Sequence, residues 1–438
     1  MAPLESWVED IDPKSHFSIY NIPFGIISTS SNPSPHPAVA IGDYALDLLV
    51  FTKSNGFSAL STIQPHQAVF FESTLNAFAA LGRPIHRIVR EYLQSVLLRN
   101  GPFPNVLEKN TELQMFTLLP LKECQMHLPM RIGDYTDFYA GLNHAYNVGV
   151  LFRGPQNALQ PNYKHLPVGY HGRASSVVVS GTPVKRPNGQ ILLDPMAENK
   201  VPMLSPSRKL DVELELGCFV CKPSKIGAPI PISSASGHLF GIVLMNDWSA
   251  RDIQAWEYVP LGPFTSKSFA TTISAWVVLM DALEPFATLG MENDTEILPY
   301  LNENGRASHY NIDLAVHLGT SSGSASNITK TSAKNLLFSF PQMLAHHAVG
   351  GCPFNVGDLM GSGTISGEGS SEKGCLLEQT ENGKVEIQIE GERRKFLEDG
   401  DTVMITGVCR GEDGALVGFG ECSGRIEPAL ELEFLVSA

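Results

Sequence analysis

The chain has 438 residues, of which 43% are hydrophobic and 17% charged, an ordinary globular composition with enough apolar material for a sizeable core. Its formal net charge of −14 at pH 7 disfavours nucleic acid and anionic membrane as partners, and requires any anionic substrate to find a local positive pocket. The length exceeds that at which a single core stops growing, so two domains are expected.

Residues 1 to about 35 carry scattered Pro and Ser and read as an irregular lead-in. Residues 1–12 are acidic rather than basic-then-apolar, so no signal peptide is expected. Apolar stretches such as Leu239–Met245 are too short to span a bilayer. The seven cysteines, Cys124, Cys218, Cys221, Cys352, Cys375, Cys409 and Cys422, are scattered and odd in number, which argues against a disulfide scaffold. Cys218-x-x-Cys221 lacks the second pair that a zinc ribbon needs and lies within a strand pattern. A reduced, cytoplasmic enzyme is the expectation, with the sequons at Asn293 and Asn327 silent.

Val39–Ile41 and Tyr44–Phe51 flank Gly42-Asp43 and predict strand, turn and strand. Ile85, Ile88, Val89, Tyr92, Val96 and Leu97 recur at helical spacing, with Pro84 suited to the first turn. Residues 103–128 read as a connecting segment. A small, structural first domain over 1–128 follows, with a larger domain over 129–438.

The character changes at Ile132. Asp134, Tyr135, Asp137, Tyr139 and His144 fall within a short span, followed by Arg153 and by Val168-Gly169-Tyr170-His171-Gly172-Arg173. Aromatic hydroxyls and Arg beside a His are groups that orient carboxylated ligands.

Leu210 to Val220 alternates apolar residues with Asp211, Glu213 and Glu215, which predicts a strand with one face buried. Same-face neighbours on a strand are roughly 6.5–7 Å apart, so Glu213 and Glu215 could converge on one cation. A solvated outer face would carry the same pattern. Leu239–Met245 predicts a buried strand that delivers Asp247 to its end, where Asp247 either serves a site or caps the next helix. Arg251, Gln254 and Tyr258 then share one helical face. Pro260 to Phe264 forms a rigid turn before Lys267 and Thr271.

Residues 318–330, rich in Ser, Thr and Gly, read as a surface loop. Lys334 to Ala345 could be a helix, with His346-His347 packing or capping at its end. Gly361 to Gly367 lacks the Gly-Lys-Ser/Thr of a nucleotide loop, so its glycines are expected to let backbone and Thr364 approach a ligand. Glu378 follows on an apolar segment. From Lys384 onward, short strand-like runs between Gly-Asp turns predict antiparallel β structure.

Ile132–Tyr139 with His144, His165–Arg173, Asp211–Leu216, Leu244–Gln254, Trp256–Phe264 and Ser362–Gly367 together resemble the fumarylacetoacetate hydrolase family. The likeness covers nearly the whole chain. Local departures are a longer lead-in, the Ala140–Asn143 stretch and the 318–330 loop. The resemblance implies a mainly β (α+β) fold, with a small SH3-like N-terminal barrel and a large β-sandwich-roll catalytic domain, assembled as a homodimer. It implies a catalytic divalent ion, Ca2+ or Mg2+, on Asp137, Glu213, Glu215 and Asp247. A second, structural magnesium is implied around Asp247, Lys267 and Thr271. The all-oxygen carboxylate set independently favours such hard cations over zinc.

The implied reaction is hydrolysis of fumarylacetoacetate to fumarate and acetoacetate, the last step of tyrosine and phenylalanine catabolism. His144 would act as base, oriented by Glu378, while Arg251, Gln254 and Lys267 would stabilise the oxyanion. Tyr139, Arg153, Gln254, Tyr258 and Thr364 would hold the substrate. Two other readings stand beside this one: a related acylpyruvate or diketone enzyme of the same superfamily, and a non-catalytic calcium-stabilised structural protein.

Overall fold

The apolar run at the centre of the chain becomes the strand Leu239–Asn246, buried along its whole length. The computed structural model describes residues 3–9, 11–412 and 414–432. That central strand pairs antiparallel with Leu214–Val220 on one side and with Thr271–Ile273 and Val278–Leu279 on the other. A strand covered on both faces needs no polar alternation, and its sequence has none.

The sheet has eight strands. Beyond Leu214–Val220 lie Leu359–Gly361, Tyr135–Phe138 and Gly169–His171, and beyond Thr271–Ile273 lies Val177–Val179. Leu359–Gly361 pairs parallel to Tyr135–Phe138 and antiparallel to Leu214–Val220, so a late segment of chain joins two early ones.

The predicted strand over 210–220 forms as two pieces. Leu210–Asp211 pairs with Ser249–Ala250, and Leu214–Val220 belongs to the large sheet. Asp211, Glu213 and Glu215 are all buried, so the solvated-face reading is excluded.

A five-stranded sheet of Ala325–Ser332, Asp313–Gly319, Thr402–Arg410, Leu416–Glu427 and Val184–Lys185 packs on the large one. Their side chains interleave in one core around Leu216, Ile242, Leu244, Trp248, Ile405 and Phe419. Beyond Lys384, Ile387–Ile389 pairs antiparallel with Glu392–Arg394 and Thr402–Arg410 with Leu416–Glu427, as expected, while residues 433–438 lie outside the described residues. Residues 318–330, in contrast, are mostly a hairpin, because alternate positions of Asp313–Gly319 are buried and the partner strand completes their backbone pairing. The helix expected from Lys334 starts later, at Phe340, where Ser339 and Gln342 form a reciprocal cap.

Near the N-terminus, Leu118–Pro120, Tyr44–Asp47, His36–Ile41, Phe24–Ser28 and Gln125–His127 form a five-stranded antiparallel sheet in that order. The lead-in therefore contains a strand, and the 103–128 segment supplies both sheet edges and a helix, Thr111–Thr117. Tyr44 begins a strand that stops at Asp47, whose carboxylate accepts from Val50 N and starts a helix. The predicted helix runs Arg83–Leu97 and buries Val89, Leu93 and Val96. Their core continues into Phe219 and Phe240 of the large sheet and Val277 beside it. Arg83 and Arg87 pair with Asp281 and Glu284 across the same junction.

The seven cysteines are free thiols. Among the described residues no helix is long and apolar enough to cross a membrane.

Candidate active site

Strand register brings the acids together. Asp137 is level with Gly361, Gly361 is level with Gly217, and Glu215 lies two residues before Gly217 on the same face. Asp247 follows directly on Leu239–Asn246, whose Asn246 is paired with Leu214. Between Asp137 and Glu215 the intervening strand offers only a glycine. A Cβ at Gly361 would lie 3.1 Å from Asp137 Oδ1 and 3.2 Å from Glu215 Oε2, so the absent side chain leaves a cradle between the carboxylates.

Asp137, Glu215 and Asp247 each bring a carboxylate oxygen within 4.8 Å of the others. Asp137 Oδ1 and Glu215 Oε1 are buried with no hydrogen-bond partner among the described residues. Burial, then the neighbouring Asp247 charge, pushes the Asp137 carboxyl well above its usual range. Burial, then Asp137, Asp247 and Glu213, does the same to Glu215. Orphaned hard oxygens in a crowded anionic cradle fit a divalent cation such as calcium or magnesium.

Glu213 is differently placed. Its carboxylate faces Arg251 Nη1 at 2.5 Å and Lys267 Nζ at 2.5 Å, and accepts from Ser249 Oγ at 2.9 Å. Burial works against its charge, yet Arg251 and Lys267 hold it below the carboxylate range. Burial likewise opposes the Lys267 ammonium, but Asp247 and Glu213 raise its pKa above the ordinary value. Lys267 Nζ also donates to Asp247 Oδ2 at 2.6 Å, while Thr271 Oγ1 donates to Asp247 Oδ1 at 2.6 Å. Both oxygens of Asp247 thus have donors, and an ammonium cannot itself ligate a metal.

His144 sits in the helix Leu142–Arg153, almost wholly buried, with its ring edge-on to Tyr139 at 5.5 Å between centroids. Its Nδ1 is 2.6 Å from Glu378 Oε2. Glu378 also accepts from Asn147 Nδ2 at 2.8 Å, Ser366 Oγ at 2.8 Å and Cys375 Sγ at 3.2 Å. Burial alone would raise its pKa, but His144, Asn147 and Ser366 bring it down to about 2. An ionised carboxylate only accepts, so in the neutral ring Nδ1 carries the proton and Nε2 keeps its lone pair.

Arg251 opens the helix Arg251–Glu257, and its Nη1 donates to Gln254 Oε1 at 3.1 Å. Its Nη2 is buried without a partner among the described residues, as is Thr364 Oγ1. Tyr258 ends that helix, 40% exposed. Arg153 lies at an exposed helix end and donates to the carbonyls of Asn157 and Ala158 at 3.1 and 2.7 Å. The Gly361–Gly367 segment works through backbone: Gly363, at φ +79°, donates its N–H to Glu215 Oε2 at 3.0 Å. A Cβ there would meet Phe138 O at 2.4 Å. His346 and His347 bond Tyr300 and Thr136, matching the packing role expected of them.

Several contributing residues escaped sequence reasoning. Ser249, Ser366, Cys375 and the gap at Gly361 carry no pattern of their own. Asn147 had a signal, since it lies three residues after His144 and so shares its helical face.

Comparison with known proteins places the chain in a family. Residues 135–427 match the family model for the fumarylacetoacetate (FAA) hydrolase C-terminal region, and residues 20–129 match that for the fumarylacetoacetase N-terminal region. A fumarylacetoacetase from Aspergillus fumigatus is 62% identical over 98% of this chain and 100% of its own length. The human fumarylacetoacetase is 48% identical over 95% of this chain and 97% of its own. A solved fumarylacetoacetate hydrolase from Exiguobacterium antarcticum shares the fold at TM-score 0.50 and 13% identity, covering 93% of this chain and 99% of that one. The chain belongs to the fumarylacetoacetate hydrolase family.

Proposed function

We propose that the chain hydrolyses a carbon–carbon bond of fumarylacetoacetate, giving fumarate and acetoacetate, and that Asp137, Glu213, Glu215 and Asp247 hold the divalent ion this requires. The observation that carries the reading is the Glu378–His144 pair, with its 2.6 Å contact and its ionised carboxylate. A calcium-stabilised structural protein would have no use for such a pair, and full-length identity to fumarylacetoacetases favours this substrate over other diketones.

The proposed chemistry starts at His144 Nε2, which takes a proton from water as the water oxygen attacks the ketone beside the fumaryl unit. Arg251, Gln254 and Lys267 stabilise the alkoxide that forms. Arg251 has a buried Nη2 donor, unspent among the described residues, for that purpose. As the alkoxide collapses, the carbon–carbon bond breaks and its electron pair leaves with the acetoacetate fragment. The imidazolium of His144 returns its proton to that fragment. When bound, a calcium or magnesium ion supplies Lewis-acid stabilisation of enolate charge. Tyr139, Tyr258 and Thr364 hold the substrate, and Arg153 joins them by giving up its loop carbonyls.

Finer parts of the same reading are a structural magnesium at Asp247, Lys267 and Thr271, which needs backbone oxygens because Asp247 already accepts from both side chains. The N-terminal sheet is taken as an SH3-like barrel domain over 1–128, followed by a β-sandwich-roll catalytic domain over 129–438. A cytoplasmic homodimer completes the proposal. Val259, Leu261 and Phe264 support it as a rigid apolar knuckle, with Leu261 94% exposed.

The test is direct. Purified protein incubated with fumarylacetoacetate, with and without chelator, should consume the diketone absorbance only when metal is present. His144→Ala should abolish cleavage while calcium affinity survives, and an active variant would remove His144 from its role.

A further inference from the structure

Asp211 is the member of the Asp211, Glu213, Glu215 row that the proposed chemistry does not use. It is fully buried. Its Oδ1 accepts from Leu376 N at 2.7 Å, and its Oδ2 accepts from Leu377 N at 3.0 Å and from Arg251 Nε at 2.8 Å. Leu376 and Leu377 open the short helix Leu376–Gln379, which carries Glu378 one residue later. The other edge of Arg251 is held by Glu213 and Gln254. One carboxylate is therefore bonded at once to the guanidinium and to the backbone that presents the partner of His144.

We infer that Asp211 is a positioning residue for the hydrolysis, fixing the Arg251 guanidinium relative to the Glu378–His144 pair. The inference rests on the roles given above to Arg251 and Glu378. A planar carboxylate with three donors around it leaves little freedom for any of them. Its partners come from segments far apart in sequence, so no local chain geometry could set their spacing instead. Misplacing a reacting group by an ångström can cost about 100-fold in rate, which makes such a brace matter to kcat more than to substrate affinity.

Asp211→Asn keeps the shape but replaces one acceptor oxygen with an amino group facing a donor. The expected result is a kcat lower by about 10- to 100-fold with KM changed less than about threefold. Calcium affinity by titration calorimetry should be unchanged. Adding Asp211→Asn to Arg251→Gln should cost less than about threefold further, because both act through one guanidinium.

Leu376→Pro provides a second variant. Cys375 is already extended at φ −147° and ψ 159°, as a residue before proline must be, and the first helical position tolerates proline. Losing that N–H, with a smaller apolar ring in place of the buried leucine side chain, should lower kcat by about three- to tenfold in the folded variant, again with KM nearly constant. Normal kcat in a folded Asp211→Asn, checked by near-ultraviolet circular dichroism, would overturn the inference, as would fully multiplicative effects in the double variant. Should Asp211→Asn not fold, normal kcat in Leu376→Pro would overturn it. Arg251→Gln reports separately on the underlying reading. Full activity there removes Arg251 from the chemistry and the brace with it, whereas a slow Arg251→Gln beside a fast Asp211→Asn overturns the brace alone.

Discussion

The acidic cradle and the Glu378–His144 pair are equally buried, yet their carboxylates are in opposite conditions. Among the described residues, Asp137 and Glu215 each leave an oxygen without a donor, and both are pushed well above the usual carboxylate range. Glu378 is surrounded by His144, Asn147, Ser366 and Cys375 and is brought down to about 2. Burial is common to both places, and what separates Glu378 from Asp137 and Glu215 is the set of charges and donors beside each. An under-served group of acids invites a cation, while a fully served one holds its neighbour in place.

Four changes would break or sharpen this contrast. The largest effect is expected from Asp137→Asn, which should lower activity by about 1000-fold, equivalent to about 4 kcal/mol of charge stabilisation. In chelator the same variant should melt higher than the parent, because a carboxyl whose ionisation is opposed by burial and by Asp247 is gone. A lower melting point there would end the contrast. Glu378→Gln should lower kcat by about 100- to 1000-fold and melt lower with or without metal, the reverse sign.

The third is a pH effect. Glu378 stands at about 2 in the fold against an ordinary value of 4.5, so its stabilising contribution is present above 4.5 and lost as pH falls toward 2. That contribution is on the order of 3 kcal/mol. Urea unfolding in chelator should therefore show parent stability falling more steeply than that of Glu378→Gln across this window, and parallel curves would contradict it. The smallest effect belongs to Ser366→Ala, which removes one of four donors. It should slow kcat by about two- to tenfold, in line with the roughly 0.5–1.5 kcal/mol of one hydrogen bond.

Much of this was legible in the chain. Period-two alternation exposed the strand that carries Glu215, with Glu213 just before it, the apolar run before Asp247 exposed its neighbour, and helical spacing joined Arg251 to Gln254. Local pattern fails where partners are distant. Asp211 alternates in step with Glu213, so periodicity gave all three acids one face, but a break at Val212–Glu213 hands Asp211 to Arg251 and the Glu378 helix. The 318–330 hairpin was missed because its polar residues pair through backbone, which composition does not record. Gly361 was expected to admit a close approach, but not as the gap between Asp137 and Glu215, because those partners are distant in sequence.

The strand Leu359–Gly361 wedged between Tyr135–Phe138 and Leu214–Val220 has a consequence for biosynthesis. On the ribosome, Asp137 and Glu215 emerge long before the segment that must slot between them, so the nascent polypeptide waits with its middle unzipped. Any message cut short before that slot is filled yields an open sheet with its acids held apart, a target for chaperones and proteases rather than a slower catalyst.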